Sequence, residues 1–232
     1  MKTIGLIGGT GWSSSAEYYQ MINEETNRRL GGHHFARCIL YSLNFHDVIA
    51  LMRMDRPVLP LISDAAEKLI CAGADCLVLC ANTMHQYAAE LKQRFSVPLI
   101  HIAAETAKTI RTKQLSKVGL IGTRYTMEMD FFKSELKKQN IACVVPRDSD
   151  RDLLHSLIME ELAKGVFSRE SADRTVQVVR HLEEQDIEGL ILGCTEFPIL
   201  LKHESFVIPI FNTTEIHAKA AVDFALESTD FG

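Results

Sequence analysis

The chain of 232 residues lacks several features that would narrow its role at once. It has no excess of basic residues. Lys and Arg number 25 against 30 Asp and Glu, for a net charge of −5, so no basic face for nucleic acid is expected. It has no long hydrophobic run. The longest apolar stretches are strand-sized, which argues against a membrane-spanning helix. The start, Met-Lys-Thr followed at once by "IGLIGG", lacks the apolar region and cleavage site of a signal peptide, and the expectation is a cytoplasmic protein. No pair among Cys38, Cys71, Cys76, Cys80, Cys143 and Cys194 shows CxxC spacing beside histidines, so no metal site is expected. In a reducing compartment the default is a set of buried, inert thiols. A Pro/Gly/Ser linker is also missing, so composition alone marks no domain boundary.

What is present is alternation. Short β-branched runs at 3–7, 37–43, 76–80, 97–101, 117–121, 141–145, 189–192 and 207–211 alternate with helical patterns. The helical patterns lie near 14–30, 45–53, 57–72, 84–94, 103–112, 125–139, 151–164, 169–184 and 213–227, with Ser168 as one expected helix start. Strands separated by helices predict an α/β protein built on mainly parallel sheets flanked by helices. Three features occur twice in the same order. "TIGLIGGTG" matches "KVGLIGTRY", "CLVLCANT" matches "GLILGCTE", and "VPLIHIAAET" matches "VIPIFNTTE". Their separations are 114, 113 and 111 residues (Gly8 to Gly122, Leu77 to Leu190, Pro98 to Pro209). Near-constant offsets predict two similar α/β domains from an internal duplication, with an active site in the cleft between them. The expected domains are 1–98 with 208–232, and 99–207.

"GLIGGTGWSSS" reads as a strand, a glycine-rich turn and a helix start, where a ligand can approach the backbone and an anion is favoured. From Gly9 the pattern G-x-G-x-x-G lacks its third glycine, and "CILYSLNF" has no acidic residue at its end for a ribose, so a carboxylate or phosphate suits the turn better than a dinucleotide. "GLILGCTEFP" places Cys194, Thr195 and Glu196 at the C-terminal edge of a strand, where ligands bind in open α/β sheets and where backbone N–H groups stabilise a thiolate. Aligning Leu77-Val78-Leu79 with Leu190-Ile191-Leu192 sets Cys80 opposite Gly193 and Ala81 opposite Cys194. Neighbouring side chains on a strand point to opposite faces, so Cys80 should face away from the site unless a bulge re-aims it.

Asn82 and Thr83 follow at the same edge and can hold a carboxylate or ammonium, or simply form a turn. Thr10 and Thr123 close the two equivalent turns and can bind an anion or cap a helix. His85 and His217, early in helices, read as structural histidines. Arg53 and Arg56 lie in the polar stretch "MRMDRP", where one could grip a carboxylate. Lys164, before Gly165, could do the same or favour a helix C-terminus.

With these residues in view, the chain resembles the aspartate/glutamate racemase family over essentially its whole length. The landmarks are the glycine-rich first turn, "NT" ending a mid-chain strand and "GCTE" late in the chain. Glu196 stands where relatives of glutamate racemase usually have His, which places the chain nearer the aspartate racemase branch. The resemblance implies cofactor-independent racemisation by two thiols on opposite faces of the α-carbon, and commonly a homodimer. It implies Cys194 as one catalytic residue, with Thr10, Asn82, Thr83, Thr123, Thr195 and Glu196 as substrate contacts and Glu196 suited to the ammonium. The family's other cysteine immediately precedes Asn-Thr, and that position here is Ala81. Cys80 or Thr83 is left as a substitute proton carrier.

Three readings follow. The first is a racemase of aspartate or glutamate, impaired or one-sided because of Ala81. The second is a single-cysteine decarboxylase or isomerase of small dicarboxylates. The third is a non-catalytic binder of an amino acid or dicarboxylate. In each the partner is a small molecule.

Overall fold

The structure is a computed structural model and describes residues 1–227. The chain divides into two compact units. One comprises Met1–His101 with the chain from His217 onward, and the other Ile102–Ile216. The first unit holds β1 (Thr3–Gly8), β2 (Arg37–Ser42), β3 (Cys76–Leu79) and β4 (Leu99–Ile100), all parallel, in the order β2-β1-β3-β4. The second holds β5 (Lys117–Gly122), β6 (Ala142–Val144), β7 (Leu190–Gly193) and β8 (Ile210–Asn212), also parallel, in the order β6-β5-β7-β8. The internal repeat is therefore a repeat of topology. The sequence boundaries drawn before residues 99 and 208 precede the observed crossings, because β4 pairs with β3 and β8 with β7 and each stays with its own sheet. Residues 228–232, assigned by the sequence to the first domain, lie outside the described residues.

Both faces of each sheet are covered, which explains the uninterrupted apolar character of the strands. On β3, Leu77 and Leu79 pack among Ile62, Ala65 and Leu69 of α3 (Leu59–Cys71). Its alternate residues Cys76 and Val78 pack with Tyr18 and Ile22 of α1 (Trp12–Leu30). On β7, Leu190 and Leu192 face Leu154 and Ile158 of α8 (Asp148–Glu160) and Val179 of α9 (Arg169–Glu183). Ile191 faces Ala103 and Ala107 of α5 (Ile102–Thr112). The last helix, α11 (Thr213–Leu226), returns to the first unit, where Ala218, Ala221 and Val222 cover Ile4, Leu6 and Val78.

Local chemistry sets the helix starts. Ser168, expected as a cap, accepts the Ser171 N–H at 3.1 Å and starts α9, and Asn44 does the same for His46 at 3.2 Å to start α2 (Phe45–Arg53). Such caps contribute about 1 kcal/mol each. Three expected helices differ in detail. The pattern at 125–139 breaks at Met129, whose extended backbone (φ −74°, ψ 156°) separates α6 (Arg124–Glu128) from α7 (Asp130–Lys138). The pattern at 84–94 begins as a 3₁₀ turn, Asn82–Tyr87, before α4 (Ala88–Arg94). The pattern at 151–164 ends with a 3₁₀ turn, Leu162–Lys164, after α8. A short helix not expected from sequence, α10 (Phe197–Leu200), follows Glu196. Among the described residues no helix is long and apolar enough to cross a membrane.

Candidate active site

Strand register decides which thiol can act. In the first sheet Ile7 pairs with Leu79, and in the second the equivalent Ile121 pairs with Leu192. Counting two residues on from each partner gives Ala81 and Cys194. The ladder thus reaches the same equivalence as the sequence repeat, from backbone pairing alone. No bulge intervenes. Cys80 donates its N–H to Ile7 C=O at 2.9 Å, and Ala81 keeps an extended backbone (φ −150°, ψ 136°). Parity therefore persists to the end of the strand. Cys80 shares the face of Cys76 and Val78 against α1 and α11, and Ala81 packs on the side of Leu77 and Leu79.

Cys80 is thereby a packing thiol. It is 1% exposed, and burial, with a smaller effect from Cys38, holds its proton far more tightly than a free thiol would. Burial likewise pushes Cys38 up to about 11, and Cys76 and Cys143 up to about 12. All six cysteines are free. Among the described residues no group of three or more His, Cys, Asp or Glu could hold a metal ion.

Cys194 continues the buried face of Leu190 and Leu192 beyond the end of β7. Its Sγ donates to Glu196 Oε2 at 2.8 Å, and Thr195 Oγ1 donates to the same oxygen at 2.8 Å. All three side chains are buried. The sequence favours a stabilised thiolate here. Instead burial first, then the Glu196 charge and its hydrogen bond, raise Cys194 well above the usual thiol range, against weaker help from the Thr195 and Glu196 backbone N–H groups. A carboxylate beside a thiol opposes a second negative charge. The group is a neutral thiol that donates a hydrogen bond to Glu196.

The other expected residues fall into two sets, one in each unit. In the first, β1 and β3 are neighbours, so the Thr10 turn and Asn82–Thr83 leave adjacent strand ends. That turn is closely packed. Gly9 has φ +88°, and a Cβ there would lie 2.1 Å from Leu43 O, so only glycine fits. Gly11, not Thr10, is the N-cap of α1. Asn82 is buried and Thr83 half-buried in the 3₁₀ turn. Arg53 is exposed at the end of α2. In the second unit, Gly122 pairs with Gly193, which sets the Thr123 turn beside Cys194. Thr123 Oγ1 accepts the Thr126 N–H at 3.3 Å and caps α6, so the capping alternative describes it. Lys164 Nζ pairs with Glu160 Oε2 at 2.8 Å on an exposed surface.

Sequence reasoning placed His85 and His217 as structural, and both are fully buried in the first unit. His85 Nδ1 lies 3.0 Å from Ala81 O and must donate to it. Tyr18 O–H reaches His217 Nδ1 at 2.8 Å, and His217 Nε2 lies 2.8 Å from Ile100 O. These partners suit neutral rings, each with one N–H donated to a carbonyl and, for His217, Nδ1 accepting from Tyr18. Burial agrees: it lowers His217 to about 4 and takes His85 well below the ordinary imidazole value. The histidines tie down the edge that carries Ala81–Thr83, a role that no local sequence signal announces.

A family model for Asp/Glu/Hydantoin racemases matches residues 7–221. The chain is 26% identical over 227 residues to the broad specificity amino-acid racemase RacX of Bacillus subtilis, covering 94% of this chain and 96% of that one. Among solved structures it is similar to a candidate Asp/Glu racemase from Yersinia pestis (43% identity, TM-score 0.90, 98% of this chain and all of that one). It is also similar to an aspartate racemase homologue from Pyrococcus horikoshii (31% identity, TM-score 0.83, 97% and 99%). With the match spanning both units and both strand-end motifs, the chain belongs to the Asp/Glu/Hydantoin racemase family.

Proposed function

We propose that this chain is a cofactor-independent racemase of aspartate or glutamate that works from one face, with Cys194 as its thiol and Glu196 as the acceptor of that thiol's proton. The observation that carries the reading is the Cys194 Sγ–Glu196 Oε2 hydrogen bond of 2.8 Å, with Ala81 at the equivalent position of the other unit. In the forward step Glu196 takes the Sγ proton, and the thiolate takes the α-proton of the amino acid. The Cα–H bond breaks, an S–H bond forms, and the electron pair stays on the α-carbon. That charge is delocalised into the carboxylate, which hydrogen-bond donors must hold for the step to proceed. This assigns Glu196 to the thiol rather than to the substrate ammonium. Return of the proton from Cys194 regenerates the starting enantiomer. Inversion needs a second donor on the opposite face, which Cys194 cannot supply, and the equivalent position in the repeat is Ala81. The setting is a cytoplasmic homodimer.

Transfer of deuterium from heavy water into the α-position of each enantiomer, followed by NMR, tests this. Exchange from one enantiomer should exceed the other by about tenfold or more, the value of a well-placed acid or base being ~10² to 10⁴. Absence of exchange from aspartate and glutamate alike would sink the reading. One observation favours a second reading. A single thiol held protonated suits protonation of a carbanion left by loss of CO₂, so carbon dioxide release from a malonate-type acid without α-proton exchange would select a decarboxylase.

A further inference from the structure

One oxygen of Glu196 takes a hydrogen bond from each of the two residues before it. Cys194 Sγ donates to Oε2 at 2.8 Å, and Thr195 Oγ1 donates to the same atom at 2.8 Å. The chain allows this by turning directly after β7. The Phe197 N–H closes on Cys194 O at 3.3 Å, so Cys194, Thr195 and Glu196 form a turn rather than a continued strand. Each of the three is 9% exposed or less. The two donors are unequal. A thiol is a weak donor and a hydroxyl an ordinary one. A glutamate side chain has several rotatable bonds, and fixing them costs entropy that an S–H alone offsets poorly. The stronger hold on Oε2 therefore comes from Thr195, the neighbour of the thiol. That oxygen's place matters to Cys194, because after burial it is the Glu196 charge and hydrogen bond that keep the thiol protonated.

We propose that Thr195 is a positioning residue rather than a contact for the substrate: its hydroxyl holds Glu196 Oε2 on the Cys194 sulfur. The inference rests on the reading of Cys194 and Glu196 as the reacting pair. Without the hydroxyl, the carboxylate stays buried but loses the bond that fixes its torsions. The S–H then meets an acceptor that spends less time in place, and the thiol is parted from the group that takes its proton. Thr195 moves no proton itself. Its removal should slow the proton step through Cys194 and leave the affinity for substrate unchanged. A residue that gripped the substrate would do the reverse.

The test is infrared spectroscopy of the full chain without substrate, in the S–H stretching region, with the spectrum of Cys194→Ala subtracted to isolate this thiol. An S–H that donates a hydrogen bond absorbs at lower wavenumber than a free one. Expected is a lowered Cys194 band in the parent, moved upward in Thr195→Val and left in place by Thr195→Ser, which retains the hydroxyl. Glu196→Gln should move the band as well. Adding Thr195→Val to that variant should then change little, because both substitutions act on one contact. In α-proton exchange, Thr195→Val should lower kcat by about tenfold, the size of one hydrogen bond, and hold KM within about 2-fold. A band unmoved in Thr195→Val overturns the inference, as does a raised KM at unchanged kcat, which would make Thr195 a substrate contact. Thr195→Ser matching Thr195→Val also overturns it, by assigning the effect to packing. Thr195→Ala gives the same reading where valine is not accommodated. The infrared arm needs no turnover. The expected band shifts without α-proton exchange would therefore sink the racemase reading while leaving this contact intact, and exchange with an unmoved band would do the reverse.

Discussion

The ends of β3 and β7 share a backbone and differ in what it carries. Each strand runs parallel to the equivalent neighbour, β1 or β5, in the equivalent register, and the β7 ladder extends one rung further, to Gly122 and Gly193. One ends Cys80-Ala81-Asn82 and the other Gly193-Cys194-Thr195. The thiol of the first sits one residue early. That single step moves it through the sheet, from the side where Ala81 and Cys194 lie to the packed layer beneath α1 and α11. Gly193, the counterpart of Cys80, has no room for a side chain, since a Cβ there would lie 2.8 Å from Ile121 O. A duplicated fold thus preserves backbone geometry while only one copy carries a thiol at this position. Position along the chain matters less than parity.

The strongest way to break this comparison is to remove each thiol. Cys194→Ala should cut α-proton exchange by about 10³-fold or more, as expected for loss of a direct proton carrier. Cys80→Ala should leave exchange within about 2-fold and cost about 1 kcal/mol of stability through the small cavity it opens. Equal losses in exchange would end the parity argument.

Next in size, Glu196→Gln should slow exchange by about 10²-fold, because the thiol keeps a hydrogen-bond partner but loses its proton acceptor. The same change should lower the pH at which Cys194 ionises, since the carboxylate charge is one of the causes that raise it. Thiolate absorbance against pH reads this directly. A titration moving upward would contradict the assigned contact.

Ala81→Cys would make the two strand ends alike. A thiol at the position equivalent to Cys194 should raise exchange from the slower enantiomer by about tenfold, a fraction of what an optimised base contributes. NMR in heavy water, run from both enantiomers, would show whether the asymmetry narrows.

The last effect concerns stability rather than exchange. His85 and His217 are buried in the first unit. His217 falls to about 4 from an ordinary value near 6.5. Between those values the unfolded chain binds the extra proton, so stability falls as pH is lowered from about 6.5 to 4 and is unaffected by this group above that window. The loss is roughly 3 kcal/mol. Hydrogen exchange should show α11 and β3 losing protection before β7 on acidification, and the reverse order would refute the link to these histidines.

The sequence revealed what repeats and what alternates. The apolar runs at 3–7 and 117–121 mark β1 and β5, and the offset between Leu77 and Leu190 already aligned Ala81 with Cys194. It missed what depends on contact. Nothing local indicates that Glu196 would accept from Cys194 rather than wait for an ammonium, that Lys164 would be taken by Glu160, or that Thr123 would be used as a cap. The break at Met129 was equally hidden, because residues on both sides of it favour helix. Tyr87 and Val58 lie 29 positions apart, and only folding makes them neighbours.

The crossings at His101 and His217 have a consequence for synthesis. Translation proceeds from the N-terminus, so the segment Ile102–Ile216 is finished as a unit while the first unit still lacks α11. Until Ala218, Ala221 and Val222 emerge, Ile4, Leu6 and Val78 have only α1 to cover that side. The part of the chain made first is therefore the part completed last.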